Sequence, residues 1–246
     1  MNIKLERFRC FNFGVLVMAL CALLTGCVSV PRVEATKASI AKVKKIAVLA
    51  IPGPANVQAT NLGGAAPIFG LVGGIIQGET NVAHGKRFFS VLRQQKPTLP
   101  EVFYTGVAQA LKADGFDIVD ARDQKAKLAA DGKSDDYSSV HVDADAILSV
   151  WYGVVGYISQ PYSTHYEPWV FIRVRLMDAK TKEDIYFKSF CVGYEMKVKN
   201  AVFLPAEEQY RYGNFDDIMA HSGDAIAGLY SSQTAVVRQV GSDLRP

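Results

Sequence analysis

The sequence predicts an α/β (α+β) protein: a mixed sheet with N-terminal strand–helix–strand units, a C-terminal antiparallel meander and a final helix. Three observations predict it. Short apolar, β-branched runs at residues 45–51 and 116–120 flank a capped amphipathic segment. Period-two alternation recurs in three stretches between residues 145 and 196. A helical apolar stripe closes the chain from Asn214 onward.

The first strand is Lys45 to Ile51, stopped by Pro52-Gly53-Pro54. A glycine-rich insert, residues 53–85, follows. Within it Gly63, Gly64, Gly70, Gly73, Gly74 and Gly78 punctuate Ile68, Phe69, Leu71, Val72, Ile75 and Ile76. The stretch is too short and too glycine-rich for a membrane span. It reads either as a long loop folded over the sheet or as a surface that enters lipid or packs on another chain, because long loops in compact domains are uncommon. Thr98-Leu99-Pro100-Glu101 starts a helix: Thr98 caps, Glu101 completes a capping box and Pro100 sits in the first turn. Phe103, Val107 and Leu111 then repeat every four residues, and Gly115 ends the helix. Phe116 to Asp120 is the second strand. Residues 121–130 read as a short charged helix and 131–139 as a polar loop.

Asp145 to Ile158 is expected as a strand with Ala146, Leu148, Val150, Tyr152 and Val154 on one face. Trp169 to Met177 points Val170, Ile172, Val174 and Leu176 one way and Arg173 and Arg175 the other. A turn at residues 178–181 joins it to an antiparallel partner, Ile185 to Met196. Asn214 caps a last helix with Phe215, Ile218, Met219, Ile226 and Leu229 near one face. The early connections suit parallel pairing through right-handed crossovers.

The start of the chain carries a different signal. Lys4, Arg7 and Arg9 precede an apolar run from Phe11 to Leu24, which ends in Leu24-Thr25-Gly26-Cys27. The arrangement resembles the lipobox of bacterial lipoproteins. The resemblance implies a signal peptide, residues 1–26, cleavage before Cys27, a lipid on its sulfur and a fatty acyl group such as palmitate on the new amino terminus. Val28, in place of an aspartate, implies retention in the outer membrane, facing the periplasm. Residues 27–43 read as a lipidated tether and 44–240 as one periplasmic domain. The run KKIAVLAI, the Gly-Phe turn after the helix, FDIVD and ADAILSVWY also resemble, as a layout, the curli secretion channel and the outer-membrane lipoprotein activators of penicillin-binding proteins. From that group no functional residue carries over.

Composition narrows the function. The signal removes three of 27 basic residues and one of 24 acidic ones, so the remainder is nearly neutral and nucleic acid is not an expected partner. Of four cysteines two leave with the signal and Cys27 takes lipid, so Cys191 has no disulfide mate. Phe190-Cys191-Val192 reads as a buried strand.

His84, His141, His165 and His221 match no metal-ligand spacing, and no nucleophile elbow or phosphate loop is present. His141, Asp143 and Asp145 read as a polar loop entering a strand; an enzyme would need His141, Asp143 and His165 gathered in a cleft. The tyrosines between 152 and 166, with Trp169, Tyr210, Tyr212 and Phe215, read mainly as core.

The expectation is therefore a non-enzymatic, lipid-anchored accessory or scaffold protein of envelope assembly. No catalytic residue, cofactor or metal is expected. Its partners are the membrane, through the N-terminal lipid, and an envelope protein or further copies of itself. The alternative is an oligomeric subunit of an export complex. Ile68, Phe69, Leu71, Val72, Ile75 and Ile76 are the candidate membrane or partner contacts.

Overall fold

A computed structural model describes residues 29–63, 70–130, 135–195 and 198–246. In chain order the elements are α1 (Lys37–Ile40), β1 (Lys45–Leu49), β2 (Gln58–Asn61), α2 (Gly70–Leu92), α3 (Leu99–Ala113), β3 (Asp117–Ala121), β4 (Lys127–Leu128), β5 (Asp135–Asp136), β6 (Ala146–Ser159), β7 (Tyr166–Asp178), β8 (Asp184–Val192), β9 (Val202–Leu204), α4 (Phe215–Ala220) and α5 (Ser222–Leu244). The predicted fold class is correct: seven strands form one mixed sheet with the order β3-β1-β6-β7-β8-β9, and β2 also lies against β6.

Strand β6 organises the sheet. One edge pairs in parallel with β1 over Ala146–Leu148 and with β2 over Gly156–Ser159. The other edge pairs antiparallel with β7, which pairs antiparallel with β8. The predicted alternation on β7 is observed: Val170, Ile172, Val174 and Leu176 are fully buried, and Arg173 and Arg175 face the other way. On β6 the alternation breaks. A register shift between Tyr152 and Val155 reverses the phase. Val155 and Tyr157 join Ala146, Leu148 and Val150 in the main core, and Val154 packs on the opposite face. Gly156, at φ 149°, is required where β2 crosses, since a Cβ there would lie 1.8 Å from the Gln58 carbonyl oxygen.

All five helices feed the core on one face of the sheet. The capping box predicted for α3 is present: the Thr98 amide donates to Glu101 at 2.6 Å, and the Glu101 amide donates to Thr98 Oγ1 at 3.4 Å. Phe103, Val107 and Leu111 are fully buried. The predicted last helix is two helices. Asn214 accepts from the Asp217 amide and caps α4, and His221 (φ −114°, ψ 39°) breaks the run before α5.

Two further expectations give way to tertiary contacts. Residues 121–130 do not form a helix. Gln124 instead bonds both backbone groups of His141, at 2.7 and 2.9 Å, and its own carbonyl accepts from Ala50, so i→i+4 pairing loses to the sheet and its loops. The insert is not a loop throughout: it contains β2, and its second half begins α2. Gly85 lets that helix approach the Val57 carbonyl, which a Cβ would meet at 2.5 Å. Asn81 accepts from the Asn61 amide at 2.9 Å, and Phe88 is buried in the core. Docking on the edge of β2 offsets the poor helix propensity of the glycines.

Candidate functional surface

The N-terminal segment is built into the sheet. Val33 exchanges two backbone hydrogen bonds with Phe187 on β8, at 2.8 and 2.9 Å. Ser29 bridges Lys199, the Val30 amide donates to the Lys199 carbonyl at 3.1 Å, and Asn200 donates to Ser29 Oγ and the Val30 carbonyl. Glu34 pairs with Lys188 at 2.7 Å. Thr36 and Ser39 form a capping box on α1, and Ile40 and Val43 are in the core. Residues 27–43 are expected as a tether; of the described part, Val33 meets β8 and Ile40 and Val43 enter the core. Period analysis missed these contacts because the apolar residues Val30, Val33, Ile40 and Val43 form no continuous run.

Among the described residues, the face of the sheet opposite the helices carries two small apolar clusters, one at each end. Tyr137 and Val140 pack on Ala47, Leu49, Ile147 and Met177 at one end. Ile158, Trp169 and Cys191 form a small cluster at the other. Between them, cross-strand rows place Ser149, Arg175 and Phe187 side by side, then Trp151, Arg173 and Ser189. Arg173 lies over Trp151, with the guanidinium 5.6 Å from the ring centroid, and Arg175 lies over Phe187 and pairs with Asp184. Phe203 on β9 stands opposite Cys191 and is 42% exposed. Cys191 is buried and its thiol donates to the Tyr194 carbonyl at 2.7 Å.

Helix α2 supplies a second surface. Gly78, Glu79 and Thr80 are exposed, and nothing lies within 4 Å of where a Gly78 Cβ would be. The docked half begins at Asn81. A cleft of about 370 Å³ between β2 and this half is lined by Val57, Gln58, Thr60, Val82, Lys86 and Phe89. On its far side His84 stacks on Phe215, with centroids 3.8 Å apart and planes 7° from parallel, and Arg87 lies over the same ring. Burial lowers the His84 pKa, with Arg87 adding to the effect.

Of the candidate contacts, Leu71, Val72, Ile75 and Ile76 fall within the span of α2, ahead of its docked half. Ile68, Phe69 and Cys27 lie outside the described residues. His141 and Asp143 precede β6, whereas His165 follows it at the start of β7. The strand between them spans roughly 45 Å at about 3.3 Å per residue, so the three are not gathered. Asp143 pairs with Lys45 at 2.9 Å, and Asp145 accepts the Lys44 and Lys45 amides, fixing the start of β1. Among the described residues no cluster of histidine, cysteine and carboxylate side chains suits a metal ion, and no helix is long and apolar enough to cross a membrane. The aromatic set is mostly core: Tyr157, Tyr166, Trp169, Tyr212 and Phe215 are buried, and Tyr162 is exposed at the hairpin turn.

No family model matches the sequence, and no curated protein does. Among solved structures, the PelC dodecamer from Paraburkholderia phytofirmans is similar at 14% identity over 87% of this chain and 95% of that one, with a TM-score of 0.38. The Xanthomonas campestris protein XCC0632, of the DUF330 family, is similar at 8% identity over 87% and 91%, with a TM-score of 0.40.

Proposed function

We propose that this chain is a lipid-anchored protein of the bacterial outer membrane, facing the periplasm, that acts through protein contacts in envelope assembly. One observation carries the reading: the basic segment and the apolar run end in Leu24-Thr25-Gly26-Cys27, two residues ahead of Ser29, which bridges Lys199. A thioether lipid and an amide-linked acyl chain bury many methylenes, at about 0.8 kcal/mol each, which suffices for stable anchoring. We assign no catalytic residue and no cofactor. The partner contact falls to residues 68–76, which precede the docked half of α2. Cys27→Ser tests the anchor: it leaves an unprocessed precursor in the inner membrane that takes up no labelled palmitate. Normal processing to a soluble periplasmic form contradicts the reading. Native mass of the protein in mild detergent then separates the roles. A small species carrying a distinct envelope protein supports the accessory role, and a large closed homo-oligomer favours an export subunit.

A further inference from the structure

We propose that the face of the sheet opposite the described helices, at its β9 corner, rests on the phospholipid bilayer that holds the Cys27 lipid. The inference depends on the lipoprotein reading and adds to it an orientation. The first argument is chain length. Ser29 is fixed to Lys199 and Asn200, and only Val28 separates it from Cys27. Two residues reach at most about 7 Å. The strap beyond Ser29 has no slack to give. Releasing it breaks the Val33–Phe187 bridge and the Glu34–Lys188 pair and pulls on Ile40 and Val43, both in the core. The domain is wider than this reach, so whatever surrounds Ser29 meets the headgroups.

The second argument is the chemistry found there. Phe203 is exposed on the same corner, and Phe171 continues its row across Cys191. Phe171 lies over Gly153, which has no side chain to lift it from the sheet: a Cβ there would meet the ring at 2.8 Å. Lys199 is exposed beside Ser29. Arg173 stacks on Trp151 and has no carboxylate partner among the described residues. Aromatic rings with cationic side chains around them suit the headgroup layer, where rings bury at the acyl boundary and guanidinium or ammonium groups bond phosphate oxygens. The helix layer on the opposite face is left free to meet protein partners.

The test uses the full-length, lipidated protein in phosphatidylethanolamine–phosphatidylglycerol vesicles. A nitroxide is placed at Phe203→Cys and, separately, at Lys112→Cys, an exposed position in the helix layer. Cys191 is buried and does not compete. The mass of the N-terminal peptide is recorded for each sample. The label at 203 is expected to be several-fold more accessible to oxygen than to a water-soluble nickel reagent, relative to the label at 112. A flexible spacer of about ten residues inserted after Val28 should return position 203 to an aqueous value with the lipid still attached. An aqueous label at 203 with the lipid present overturns the orientation and leaves the anchor standing. Shielding from both reagents marks contact with a second copy and also overturns it. An unmodified Cys27 overturns both the orientation and the anchor.

Discussion

Lys188 Nζ lies 2.8 Å from an Asp243 carboxylate oxygen, and this ion pair joins β8 to the final helix. Both side chains are largely buried, at 7% and 14% exposure. Tyr186 donates to the same carboxylate at 2.8 Å, Gln239 donates to its other oxygen, and Glu34 brings the N-terminal strap onto Lys188. Removing Asp243 leaves the buried Lys188 ammonium with the more exposed Glu34 carboxylate as its only ionic partner among the described residues. Asp243→Ala should therefore cost about 3 kcal/mol in chemical denaturation, and Lys188→Met with Asp243→Leu should recover much of that loss. Equal stability of the single and double variants contradicts this account of the junction.

Gln233 is the inverse case. It is 1% exposed, on α5, and neither side-chain polar atom has a hydrogen-bond partner among the described residues. An unsatisfied buried amide costs about 1–3 kcal/mol. Gln233→Met, close in volume, should raise stability by about 1–2 kcal/mol, read as an upward shift in the urea midpoint.

Gly228 permits a close approach. A Cβ there would meet Tyr157 Oη at 2.6 Å and the Tyr210 side chain at 2.8 Å, and Tyr157 donates to the Ala225 carbonyl on the same helix. Gly228→Ala gains helix propensity but has to displace both rings. Overpacking of this kind costs roughly 1–3 kcal/mol, so net destabilisation is expected. A more stable variant by thermal melting contradicts the packing described.

His84 makes stability depend on pH. Its folded pKa lies below the ordinary 6.5, chiefly through burial and secondarily through Arg87, with Asp216 opposing. The unfolded chain then binds a proton that the folded protein refuses. The associated stability is complete above the unfolded pKa and is lost as pH falls toward the folded value. Melting temperature should drop between about pH 7.5 and 5.5, and His84→Phe should flatten that part of the drop by keeping the stack on Phe215 without the titration. An unchanged slope in the variant contradicts the assignment.

How much of this was readable in the sequence depends on where each segment finds its hydrogen bonds. Strand β7 and helix α3 satisfy their patterns locally, and both were legible, as was the Thr98–Glu101 cap. The bulge after Tyr152 leaves no compositional trace except Gly153, so the phase of the second half of β6 was misread. Helix α2 was hidden by glycines whose cost is offset by contacts with Asn61 and Val57, remote in sequence. Residues 121–130 looked helical because their alanines and charges suit a helix, but Gln124 is committed to His141. On the surface, the Arg173 and Arg175 rows were visible as an outward-facing set. The docking of Ser29 and Val33 was not, since an isolated bridge has no period.

The central claim is a lipid anchor on Cys27, two residues ahead of the Ser29–Lys199 bridge, and the most direct test is the mass of the N-terminal peptide from the native protein. The account predicts a mature chain that starts at Cys27, with a diacylglycerol thioether on its sulfur and an acyl group on its amine. A chain that retains residues 1–26, or one with an unmodified Cys27 thiol, contradicts it.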